Sequence, residues 1–184
     1  MENVLSIAAI DFTLITMAES LRTRLKRWGF NFFPAYRGTG GRLTYIADDY
    51  HEIRVKLPLS WRTRNYVGTI FGGSIYGAVD PLYMVMLIKI LGNNYVVWDK
   101  AATIRFKRPG RETLYAEFKV TPEEVAEIKD ELTRNKSIER VYGINLVNKA
   151  GKVHAVVEKT IYFGSKAPTT EGTLTSKPHA LASS

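Results

Sequence analysis

The apolar positions along this chain change their spacing several times, and each change marks an element. Residues 42–47, RLTYIA, and 52–57, EIRVKL, alternate apolar and polar positions and predict two strands around a turn at Asp48–His51. The loop PLSWRTRNYVGT follows. From Gly72 the alternation disappears and the chain stays largely apolar to about Leu91, which predicts a helix closed by Gly92. A helix that is apolar on most sides must be covered on most sides. Alternation returns over Tyr95–Lys107, turns at Arg108–Arg111 and comes back over Thr113–Val120. Residues 121–135 read as a surface helix, with Thr121 as N-cap, Pro122 in the first position and acids in the first turn. Residues 138–163 predict a hairpin turning at Asn148–Gly151. The order predicts an α+β fold in which a curved antiparallel sheet wraps around one long central apolar helix.

The ends of the chain read differently. Residues 1–37 predict an N-terminal helical extension, with a basic and aromatic end, LRTRLKRWGFNFF, before Pro34 and the breaker run Arg37–Gly41. The first residues do not read as a signal peptide, because the chain opens on an acid and Asp11 interrupts the apolar run. The main domain spans 38–163. The tail 164–184 has no aromatics and no periodicity, and reads as disordered. The basic-aromatic helix has two readings: a membrane-surface helix, or a helix packed across the sheet that closes one end of the domain. The second is preferred.

Composition narrows the classes. The chain has 184 residues, 45% of them hydrophobic, and no cysteine. That suits one domain with a real core. It excludes a disulfide framework, a thiolate zinc site and a cysteine nucleophile, and suits a reducing, cytoplasmic setting. The net charge of +8 implies attraction to something anionic. No zinc-finger, RNP or recognition-helix pattern accompanies it, so a nucleic-acid partner is not expected. His51, His154 and His179 lack ligand spacing, so no metal site is expected.

One residue stands out chemically. Asp80 sits in the middle of the apolar run, directly before Pro81. A lone buried carboxylate is costly unless it has partners or a task. Asp80 and Pro81 could form the cap and first residue of a helix, or Pro81 could kink a helix running from Gly72.

The residues around Asp80 are Asn65, Gly68, Thr69, Phe71-Gly72-Gly73 and Asp80, with Asn65 six positions before Phe71 and Asp80 nine after it. They resemble the signature of the hotdog-fold acyl-CoA thioesterases, and more closely their phenylacetate-degradation and human thioesterase superfamily-member type. That signature is Asn, Gly, Thr or Ser, His-Gly-Gly, then Asp inside the helix. VVWDKAATIRFKRPG resembles the following strand, where the family often carries a polar active-site residue; Asp99 falls there. Phe71 stands where the family usually places histidine, as in a subgroup in which that histidine is often replaced. The resemblance implies a hotdog domain and an acyl-CoA or acyl carrier protein thioester as substrate. Coenzyme A would enter only as part of the substrate, with no separate cofactor. It also implies a homodimer, or a dimer of dimers, whose active site is shared across the interface.

These roles have a physical basis. The N–H groups of Gly72 and Gly73 at a helix start would polarise a thioester carbonyl. Asp80 would act as general base on water or as nucleophile. Asn65 of one subunit would position the water facing Asp80 of the other, with Asp99 as a further polar group. Thr69 and Phe71 would line the substrate site, Phe71 walling the acyl channel. Arg62, Arg64, Arg105, Lys107 and Arg108 would meet the phosphates of coenzyme A. Plainer readings stand beside these. Asn65 could hold its own turn, the glycines could form a simple turn, Asp99 could pair with Lys100 or an arginine, and the basic residues could be a solvated face. The loss of histidine at Phe71 leaves a second expectation, a non-catalytic acyl-CoA or lipid-binding protein.

Overall fold

The computed structural model describes residues 19–166. Helix α1 (Leu21–Phe32) and the short α2 (Pro34–Thr39) precede β1 (Arg42–Ile46) and β2 (Glu52–Leu57). A long loop leads to α3 (Gly72–Gly77) and α4 (Leu82–Leu91). Then come β3 (Tyr95–Phe106), β4 (Leu114–Lys119), α5 (Pro122–Arg134), β5 (Ser137–Val147) and β6 (Val153–Ser165). The strands form one antiparallel sheet in the order β1-β2-β4-β5-β6-β3, so β1 and β3 are its edges.

The alternating strands bury every second residue. Ile53, Val55 and Leu57 of β2, Leu114, Ala116 and Phe118 of β4, and Ile144 and Leu146 of β5 face the same core. Leu82, Met86 and Leu87 of α4 are fully buried in it. Tyr83 packs edge-on to Phe118, with ring centroids 5.0 Å apart, and against Tyr142 at 4.6 Å. The stretch Gly72–Leu91 is long and apolar enough to cross a membrane by composition, but half of it is buried, and its largest apolar side chains fill this core.

The long central apolar helix lies where the sequence places it, over Gly72–Leu91, and it is interrupted at Pro81: turns at residues 78–81 separate α3 from α4. Pro81 has no N–H to give to the carbonyl of Gly77, so the ladder breaks there. The groups exposed by the break find partners elsewhere: Tyr36 Oη donates to Ala78 O at 3.0 Å, and Lys159 Nζ donates to Asp80 O. Pro34 does not end helical structure but starts α2, where a proline in the first position loses nothing. Finally, β6 runs to Ser165, two residues into the segment read as tail. Residues 167–184 of that tail, and residues 1–18 with the signal-peptide question, lie outside the described residues.

The surface helix forms as its sequence predicts. Thr121 Oγ1 accepts from Glu124 N at 3.2 Å, Glu123 and Glu124 occupy the first turn, and Val125, Ile128 and Leu132 are buried. The last hairpin turns at Asn148, whose side-chain oxygen accepts from Lys152 N at 2.8 Å.

Candidate functional site

Two groupings form where the sequence placed chemistry. The first is an open cleft of about 410 Å³ at the start of α3, lined by Asn65, Thr69, Gly72, Phe106, Lys107 and Arg108 among others. Phe71 is the N-cap residue of α3 and its own N–H donates to Thr63 O at 2.7 Å. The N–H groups of the first turn have no partner within the helix. Gly72 and Gly73 leave room for two aromatic rings. A Cβ on Gly72 would lie 3.0 Å from Phe106 Cζ, and one on Gly73 only 2.4 Å from Phe71 Cε1. The Phe71 ring therefore lies over Gly73 and is itself 57% exposed.

Asn65 closes its own loop. Its Oδ1 accepts from Val67 N at 3.1 Å and Thr69 N at 3.0 Å, and its Nδ2 donates to Thr69 Oγ1 at 2.9 Å. That holds Asn65 and Thr69 rigidly at the cleft rim.

The second grouping surrounds Asp80. Lys159 is wholly buried, and its Nζ donates to Asp80 Oδ1 at 2.7 Å, to Asp99 Oδ2 at 2.6 Å and to the Asp80 carbonyl. An ammonium has three protons, and all three are used. The Tyr76 ring lies 5.7 Å from the same Nζ. Burial, with the Asp80 carboxylate beside it, pushes the Tyr76 hydroxyl pKa well up. Burial also raises the Asp99 carboxyl; Lys159 opposes that shift and the Asp80 charge adds to it. Asp99 Oδ1 is sealed from solvent without a hydrogen-bond partner. The Asp80 side chain is 42% exposed. The cluster is thus one buried cation between two carboxylates, one of them open to the outside.

This arrangement corrects two of the plainer readings. Asp80 does not cap α4: Pro81 holds the N-cap position and no side chain bonds there. Asp99 does not pair with Lys100, which reaches Glu139 instead. The reason is a bulge in β3 between Asp99 and Ala101. The extra residue, Lys100, lets Asp99 and Ala102 both lie on the inner face beside Lys159, to which Ala102 is the paired neighbour.

Sequence reasoning missed Lys159 and Tyr76. A signal for Lys159 was present: Ala155, Val157, Lys159, Ile161 and Phe163 form the inward row of β6, and one member is a lysine. A charge at core parity calls for buried partners.

The basic residues are dispersed. Lys107 and Arg108 line the α3 cleft. Arg105 points from the outer face toward Glu158, at 3.7 Å, so it does not join them. Arg62 lines a different cleft, beside Trp61. Arg64 pairs through its backbone with Ile70.

The two groupings are separate within one chain. Asp80 does not line the α3 cleft; it lies eight residues after Gly72, beyond the end of α3. Asp99, in the Asp80 cluster, and Phe106, in the α3 cleft, both belong to β3, which has no further strand beside it among the described residues.

Solved structures share this fold. A protein of unknown function from Pseudomonas aeruginosa, described as a probable thioesterase, is 19% identical with a TM-score of 0.70, over 80% of this chain and 99% of its own. A protein of unknown function from Chlorobaculum tepidum is 15% identical at TM-score 0.63, over 78% and 94%. A thioesterase from Haemophilus influenzae is 14% identical at TM-score 0.55, over 74% and 87%. At these identities the likeness establishes the hotdog fold. No curated protein matches the chain by sequence. The family described as Domain of unknown function (DUF4442) matches residues 22–163, and the chain belongs to it.

Proposed function

We propose that the protein is a hotdog thioesterase acting on a fatty or aromatic acyl thioester of coenzyme A or acyl carrier protein. The observation that carries this reading is the pairing of incomplete halves. One half is a cleft at a helix start with rigid Asn65, Gly72, Lys107 and Arg108. The other is a half-exposed carboxylate, Asp80, held from behind by Lys159.

The halves meet if two copies pair along β3. That strand is a 12-residue edge whose residues 100–103 are all exposed, flanked by the exposed rings of Trp98 and Phe106. Long unpaired edges of this kind are templates for another strand. A two-fold pairing would bring the Asp80 of one subunit to the Gly72 cleft of the other. The thioester oxygen would sit on the N–H groups at the start of α3, gaining charge stabilisation as the tetrahedral intermediate forms. Water held by Asn65 or Thr69 would lose its proton to Asp80 and attack the carbonyl carbon, and the thiolate would leave. Lys107 and Arg108 would meet coenzyme A phosphates. Several solved structures of the same fold are described as thioesterases, which supports the reaction class.

A second reading is a non-catalytic acyl-CoA or lipid binder. The ammonium of Lys159 on Asp80 Oδ1 favours it, because it occupies an oxygen that would otherwise be open to a water. Thiol release from short, long and aromatic acyl-CoA esters decides between them. Turnover that disappears in Asp80→Asn supports the thioesterase; binding of the same esters without turnover supports the binder. The chain has no cysteine to add a thiol background.

A further inference from the structure

Helix α1 is docked the wrong way round for a core helix. Thr23 is buried and its hydroxyl donates to Asp48 Oδ1 at 2.7 Å. Asn31 bonds both backbone groups of Leu43, at 2.9 and 2.8 Å. Phe30 packs on Tyr36, with ring centroids 4.7 Å apart. On the opposite side, Leu21, Leu25, Trp28 and Phe32 are each more than half exposed. Their spacing of four, three and four residues makes one stripe. At about 100° per residue, Thr23 and Phe30 lie directly behind that stripe, and Arg22 and Arg24 lie on its two flanks. The helix is therefore fixed through polar anchors and the Phe30 ring, and Leu21, Leu25, Trp28 and Phe32 face away from the core.

The stripe continues beyond the helix. Phe33 and Trp61 are also exposed, Trp61 by 83%. Trp28, Phe32 and Trp61 share a cleft of about 510 Å³ with Arg27, Arg37, Arg42 and Arg62. Among the described residues no acidic side chain lines this cleft; Glu19 reaches Arg27 from outside it at 2.9 Å. Among the described residues Arg37, Arg42 and Arg62 have no acidic partner. Such a patch of exposed leucine, tryptophan and phenylalanine beside unpaired arginines is complementary to one kind of surface: an apolar layer under anionic headgroups.

We propose that this face docks on anionic phospholipid bilayers. The outer stripe of α1 and Trp61 sit at the level of the headgroups, and the arginines of the cleft meet lipid phosphates. This goes beyond the thioesterase reading and does not depend on it.

Flotation of the full chain with phosphatidylcholine vesicles, with and without about 30% phosphatidylserine, tests it. Binding should rise at least about tenfold with the anionic lipid and fall steeply at about 0.5 M salt. Arg37→Ala with Arg42→Ala should weaken it about twenty-fivefold, near fivefold per cation. Leu25→Glu with Trp28→Glu should abolish it while leaving acyl-CoA turnover without vesicles unchanged. Two of the three tryptophans lie on the patch. Brominated lipids should therefore quench the fluorescence of the unmodified protein, a readout that needs no variant to fold. Absence of quenching and flotation overturns the proposal. So does equal binding to neutral vesicles that ignores the arginine changes. If Leu25→Glu with Trp28→Glu instead dissociates an oligomer that never floats, the face is an interface between copies and the proposal fails. Acyl-CoA turnover is read separately, so failure here and failure of the thioesterase reading are distinguishable.

Discussion

Lys159 Nζ lies 2.7 Å from Asp80 Oδ1, and Asp80 also gives its carbonyl to the same ammonium. One lysine therefore holds both the carboxylate and the backbone at the point where Pro81 interrupts the central helix. The helix break and the candidate site are parts of one arrangement.

Removing that cation should be costly. Lys159→Met leaves Asp80 and Asp99 facing each other without a counter-charge, and should destabilise by about 3 kcal/mol in urea titration. Adding Asp80→Asn and Asp99→Asn to it should recover most of the loss, because the repulsion disappears with the charges. A single change that costs nothing would mean that the cluster is not ionised as described.

The raised Asp99 carboxyl has a pH signature. Its folded pKa lies above its unfolded value, so the folded state binds more protons between the two. The stability that this group contributes is present below about pH 4 and lost as pH rises through the folded value. The difference in unfolding free energy between wild type and Asp99→Asn should show that fall with rising pH. A rise across the same interval would reverse the assignment.

Asn65 separates turn from chemistry. Asn65→Asp keeps the oxygen that accepts from Val67 N and Thr69 N and loses only the donation to Thr69. It should cost about 1 kcal/mol or less, whereas Asn65→Ala should cost about 2 kcal/mol, because two N–H groups lose their partner. Thermal unfolding reads both.

Gly73 and Phe71 should be coupled. Alanine in a helix is worth about 0.5–1 kcal/mol over glycine, but here its Cβ meets the Phe71 ring. Gly73→Ala should be close to neutral in the native background and stabilising by about 1 kcal/mol in Phe71→Ala. Additive values would show that the ring does not rest on Gly73.

The shared site predicts complementation between subunits. Asp80→Asn and Asn65→Ala proteins, each inactive alone, should regain about a quarter of wild-type turnover when unfolded together and refolded, since half the dimers then carry one intact site. Ala101→Lys with Thr103→Lys on the β3 edge should shift sedimentation to monomer and abolish that recovery. Recovery at monomer mass would remove the dimer from the mechanism.

Most of the fold was legible because it follows from local periodicity. The strand 52–57 and the Thr121 cap stand as read, since alternation and capping are decided by residues a few positions apart. The site was legible only in part. Asp80 was visible as a charge in an apolar run, but its partner is 79 positions away.

By itself the sequence determined the elements, their order and the identity of the groups that a site must use, because these depend on neighbours along the chain. Tertiary structure decided which groups meet. The bulge after Asp99 turned that carboxylate toward Lys159, and the inward row of β6 placed a cation in the core. The docking of α1 through Thr23 and Asn31 left its apolar stripe outside. Each is a choice of face or register between distant segments, made where burial, charge pairing and hydrogen bonding are satisfied together.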